Sequence, residues 1–209
     1  MLNLFKSVEV KGNIKTQRLL SLDFCGQFMA NLLIAYTDPA IRIYMVSNID
    51  PIYFKVSLLV GFIIGIMVNL NFNKDTIPLL RKYYSIFVVV DVIISVSINV
   101  IFGDNPDIRM LSFAILAPLT TAIEVKIFND CVNNAANGSN LTVINERKLA
   151  SNKLAFVVGI SLSILIPDID VYFALYIQCL GIIIASVSSL FVRNKMMKIV
   201  FNDKENSNQ

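Results

Sequence analysis

The chain has 209 residues, 56% hydrophobic and 16% charged, with a mean hydropathy of +0.66, which is too apolar for one soluble domain. Its net charge of +3 is spread over several segments without an aromatic-basic groove, so no nucleic acid is expected as a partner and an anionic lipid bilayer is. The lack of histidine removes imidazole ligation, histidine bases and histidine pH sensing, and no cofactor or metal site is expected.

In chain order, residues 1–18 read as a basic cytoplasmic leader carrying Lys6, Lys11, Lys15 and Arg18. The run behind it contains Asp23 and Gln27 and lacks a small-x-small exit, so an uncleaved first helix is expected over 19–35. Residues 41–46 form a candidate interfacial helix between Asp38-Pro39 and Asp50-Pro51, whose prolines bias the preceding residues toward extended backbone. Further spans are expected over 52–70, 83–102 and 110–128, the last kinked at Pro118. A turn-rich inside link at 133–140 carries the sequon-like Asn137-Gly138-Ser139, and the fifth run, 154–166, is short unless its helix starts near Leu149 and Lys153 snorkels. The sixth span covers 171–192, so the transmembrane domain is 19–193 and a cytoplasmic tail, 194–209, ends in a polar stretch expected to be disordered. Cys25, Cys131 and Cys179 are unclustered and read as buried, inert thiols.

Every basic side chain except Arg42, Lys55 and Arg109 falls on the same side of these runs. That asymmetry predicts a multi-pass cell-membrane protein of six transmembrane helices with both termini cytoplasmic. The fold class is all-α, a polytopic membrane helix bundle.

Polar and small residues recur every four positions inside the runs, which keeps them on one face of a helix. Asp23, Gln27 and Asn31 mark span 1; Ser57, Gly61, Gly65 and Asn69 span 2; Asp91, Ser95 and Asn99 span 3; and Thr120 with Glu124 span 4. Spans 5 and 6 carry Ala155, Gly159 and Ser163, and Gly181, Ala185 and Ser189. The small-residue rows of spans 2, 5 and 6 predict close helix packing, chiefly at Gly61, Gly65, Gly159 and Gly181. The acid and amide rows of spans 1, 3 and 4 predict a polar route. Asp91 leads that route because a carboxylate at a helix centre costs about 2.5 to 3.5 kcal/mol on insertion scales. It is expected to be neutral, paired or hydrated; its structural alternative is a carboxyl hydrogen-bonded to a neighbouring helix.

Enzyme signatures such as H-E-x-x-H, G-x-S-x-G and the Walker loop are absent, and the chain is expected not to be an enzyme. Six spans, the link Asn73-Lys74-Asp75 with Arg81-Lys82, and Glu146-Arg147-Lys148-Leu149-Ala150-Ser151-Asn152 before span 5 together resemble one six-helix half of a major facilitator superfamily transporter. Residues 65–82 match that family's loop motif in degenerate form, without the arginine adjoining the acid. Val157-Val158-Gly159-Ile160-Ser161 replaces the family's Gly-Pro-rich fifth span. The resemblance implies a half-length body completed by a homodimer or another membrane protein. It also implies an inner gate at Asp75 and Arg81. A small solute is then expected to pass Asp91, Asp23 and Glu124 between the hydrogen-bonding walls Gln27, Asn31 and Asn99. The alternative is a non-transporting membrane interaction protein, an immunity or assembly factor, in which Asp91 is structural.

Overall fold

A computed structural model describes residues 14–71, 76–136, 141–166 and 169–206. They form α1 (Ile14–Asn48), α2 (Pro51–Asn71), α3 (Ile77–Ile101), α4 (Pro106–Ala136), α5 (Leu141–Leu165) and α6 (Val171–Asn206), with no strand among the described residues. All six are long and apolar enough to cross a membrane, with mean hydropathies of 1.3 to 2.2 over their candidate spans. The expectations placed on residues 1–13, Asp75, the 137–140 sequon stretch and residues 207–209 lie outside the described residues.

Three boundaries differ from the sequence reading. First, α1 does not stop near Ala35 to leave a separate interfacial helix; it continues through Pro39 to Asn48. Proline removes one backbone donor, and local and tertiary contacts offset the loss. The Thr37 hydroxyl donates to the Leu33 and Ile34 carbonyls at 3.1 and 3.0 Å, Arg42 Nε donates to Asp38 Oδ2 at 2.5 Å, and Ile41 packs with Ala174 and Leu175 at the start of α6. Second, the broad link expected between spans 4 and 5 narrows, because α4 runs to Ala136 and α5 begins at Leu141. Burial explains the early start: Ile144 is fully enclosed in an apolar cluster with Phe128, Cys131, Val132, Val192 and Met196. Third, α6 extends past Arg193 to Asn206, so most of the expected tail is a continuation of the last helix.

The central element is α1, packed on both α5 and α6, while α3 lies against α4 and α6. Among the described residues α2 packs on α4 alone. Missing side chains permit these approaches. A Cβ on Gly159 would lie 2.7 Å from the Leu32 oxygen, and one on Gly181 3.1 Å from that of Ala30. Pro118 deprives the Ala114 carbonyl of its intrahelical donor, and Gly61 of α2 sits against that carbonyl. Among the described residues, a Cβ on Gly65 would meet Pro118 at 3.9 Å, which is ordinary contact. Cys131 and Cys179 are buried, but Cys25 is exposed, contrary to the expectation of three buried thiols. The outside of the bundle is apolar, with Phe62, Leu70, Ile86 and Val187 among many large exposed side chains, the inverse of a water-soluble exterior.

The helix pairing repeats. Exchanging α1, α2 and α3 for α4, α5 and α6 turns the α1·α5 contact into α4·α2, turns α1·α6 into α4·α3, and leaves α3·α6 unchanged. A sequence echo accompanies it. In α2, Ser57, Gly61, Phe62, Gly65 and Ile66 stand at the same spacing as Ser151, Ala155, Phe156, Gly159 and Ile160 in α5. Ile77 and Val171, which open α3 and α6, are separated by the same interval as those two serines. Three helices per unit invert the second unit relative to the first, as in the inverted repeats of transporters.

A polar cavity inside the bundle

Buried charge concentrates at the near end of the bundle, where α1, α3 and α5 begin. Arg193 of α6 is 1% exposed. Its Nη1 donates to the Tyr84 hydroxyl of α3 at 2.9 Å and to the Glu124 carbonyl of α4 at 3.1 Å, and forms an ion pair with the Glu124 carboxylate. Tyr84 closes the ring by donating to Glu124 Oε1 at 2.8 Å. Lys148 of α5 enters beside this group with its Nζ 3.7 Å from the centre of the Phe128 ring, and the Arg193 guanidinium lies 5.6 Å from the same ring. Both contacts are within cation–π range.

Asp23 is fully buried, and neither of its oxygens has a hydrogen-bond partner. It lies within electrostatic reach of the cations Arg193 and Lys148 and of the acid Glu124. At the entrance to α3, Arg81 Nε donates to Asp130 Oδ2 of α4 at 3.1 Å, so the described partner of this expected gate residue is on α4.

Above the charged ring opens a cavity of about 540 Å³, bounded by five helices. Gln27 and Asn31 come from α1, Asp91 and Ser95 from α3, Thr120, Thr121 and Glu124 from α4, Lys148 and Asn152 from α5, and Gln178, Ser189 and Arg193 from α6. Its walls are cross-linked. Gln27 Nε2 donates to Ser189 Oγ at 2.8 Å and to the Ala185 carbonyl at 3.2 Å, and Asn31 Nδ2 donates to Asn152 Oδ1 at 3.1 Å. Asp91 is half-buried with Oδ1 unpartnered. Gln178 and Arg193, which both border the cavity, are fifteen positions apart on α6, an axial separation of roughly 22 Å at 1.5 Å per residue.

The far end has its own node. Arg109, 4% exposed, donates from Nε to Asn99 Oδ1 at 3.0 Å and from Nη2 to Gln178 Oε1 at 2.7 Å, with Met45 sulfur 3.0 Å from Nη1. The α3 and α6 residues of the two nodes, Tyr84 with Arg193 and Gln178 with Asn99, occupy equivalent places in the repeat. Arginine suits both sites because its planar fork serves several acceptors at once.

Of the route residues expected from sequence, Asp91, Glu124, Gln27 and Asn31 share this cavity. Asp23 is not among its lining residues and lies within electrostatic reach of Arg193, and Asn99 is occupied by Arg109 instead of lining it. Spans 5 and 6, expected to serve mainly packing, also form part of the wall through Lys148, Asn152, Gln178 and Arg193, whereas no described residue of α2 does. In the sequence Lys148 and Arg193 fall at the ends of apolar runs and Arg109 just before the fourth, where flanking or loop positions are expected. The missed signal was their register: Arg193 follows Gly181, Ala185 and Ser189 at four-residue steps. No family model, curated protein or solved structure matches the chain.

Proposed function

We propose that this chain is a multi-pass membrane protein of transporter type, with its near end and both termini cytoplasmic, in which a small solute passes through the cavity between α1, α3, α4, α5 and α6. The observation that carries this reading is the convergence of Asp91, Glu124, Lys148 and Arg193 from four helices on one interior space. Intramembrane charges are costly and tend to mark substrate or ion paths. The inverted pairing of the two three-helix units supports alternating exposure of such a site, the arrangement of a major-facilitator-like half. On this reading the body is completed by a second copy or by another membrane protein. The second reading is a non-transporting interaction protein. It is favoured by α2, which among the described residues touches only α4 and leaves a long apolar face outward.

Flux measured in reconstituted vesicles across a broad panel of small solutes tests the first reading. Asp91→Asn is expected to lower transport by roughly tenfold or more, the consequence of removing one charged contact from a low-dielectric site. No flux for any solute, or full flux in Asp91→Asn, contradicts it.

A further inference from the structure

The cavity leaves particular atoms without partners. Arg193 uses Nη1 for Tyr84 and Glu124, yet its Nε and Nη2 make no hydrogen bond, although the side chain is almost wholly buried and lines the cavity. Those two nitrogens form the side-on edge of the guanidinium, whose parallel N–H groups match the two oxygens of a carboxylate. Lys148 adds a second cation next to it, across the shared Phe128 ring. Gln27 and Asn31 already donate to α6 and α5, and among the described lining residues Lys148 and Arg193 are the two cations that an incoming anion would meet.

An opposite requirement stands higher in the same space. Asp91 presents Oδ1 without a donor, and Thr120 and Thr121 lie between it and the cationic end. Along α3, Asp91 is seven residues from Tyr84, whose hydroxyl holds Arg193, a rise of about 10 Å. A ligand joining the two sites therefore carries its charges several bonds apart, farther than the ammonium and carboxylate of an α-amino acid.

We infer that the cavity binds a small extended zwitterion, its carboxylate on the open edge of Arg193 beside Lys148 and its ammonium at Asp91. This deepens the transporter reading and rests on it. The competing partner of that buried, unpartnered edge is Asp23, whose two oxygens also lack a hydrogen-bond partner and which lies within electrostatic reach of the same guanidinium.

The test is calorimetric binding to the purified protein in lipid nanodiscs, with 6-aminohexanoate and dialanine as probes and hexanoate, hexylamine and alanine as comparisons. Both probes are expected to bind, and each comparison is expected to bind roughly tenfold or more weakly, the loss of one charge-assisted contact. Lys148→Gln and Arg193→Lys are expected to weaken the probes by a similar factor while leaving hexylamine unchanged, and Asp91→Asn to reduce 6-aminohexanoate to the level of hexanoate. Lys148→Gln and Asp91→Asn alter side chains that are not fully buried, so they keep the test valid if Arg193→Lys does not fold. Equal binding of probes and comparisons, or probe binding indifferent to Lys148 and Asp91, overturns the inference. So does absence of probe binding in a protein that moves some other solute, an outcome that leaves the transporter reading standing. Absence of both probe binding and any flux removes the two together.

Discussion

Arg193→Met is expected to destabilise the bundle by about 3 to 5 kcal/mol, the range for removing one member of a buried charge pair. The arginine ties α6 to α3 and α4 through Tyr84 and Glu124, and its charge faces the buried Asp23. Without it, the Glu124 carboxylate retains Tyr84 as its donor, and Asp23 retains only Lys148 as a nearby cation. The cost is thus one of abandoned carboxylates more than of lost attraction. Adding Glu124→Gln and Asp23→Asn in the Arg193→Met background is therefore expected to recover most of the stability, because an amide is far cheaper than an unpaired carboxylate in a site of low polarity. Reversible unfolding in mixed detergent micelles measures both effects. An Arg193→Met variant within about 0.5 kcal/mol of the parent, the range of an indifferent surface change, contradicts this network.

Gly159→Ala is expected to cost about 1 to 3 kcal/mol by forcing α5 away from α1. The added methyl would lie 2.7 Å from the Leu32 oxygen, 2.8 Å from the Ala35 Cβ and 3.0 Å from the Tyr36 nitrogen, and a backbone cannot swing aside as a long side chain does. Gly65→Ala is the control. Its methyl would touch Pro118 at 3.9 Å, so its stability is expected to stay within about 0.5 kcal/mol of the parent. Gly26→Ala belongs with Gly159, since its Cβ would fall 2.5 Å from the Cβ of Ser188 on α6. Unfolding of the three variants under one condition separates them. Equal effects at Gly159 and Gly65 contradict the close α1·α5 contact.

The contrast between those glycines also marks what was legible in the sequence. Four-residue spacing identified both as small positions on a helix, but spacing alone does not say which neighbour stands opposite or how near. The six apolar runs were readable because length and hydropathy are local properties. Their ends were not, since α1 passes Pro39 through contacts made with α6, and α5 begins early because Ile144 is enclosed by residues of α4 and α6. For the site, Asp91 and Glu124 stood out as acids within apolar runs. Lys148 and Arg193 sit near the ends of theirs, where a cation ordinarily faces headgroups and water. Only the packing of α1, α3 and α4 around those ends turns them inward. The repeat is faint in the sequence because the obvious echo is confined to α2 and α5.

The central claim, a water-accessible space inside an apolar bundle, is tested most directly by thiol accessibility in a background lacking Cys25, Cys131 and Cys179. Single cysteines replace Thr121, Asn152 and Ser186 on the cavity wall and, for comparison, Phe62 and Val187 on the apolar exterior. In membranes, a charged, water-soluble maleimide is expected to label the first three and to spare the last two. Labelling of Phe62→Cys and Val187→Cys with protection of Thr121→Cys, Asn152→Cys and Ser186→Cys would contradict the account.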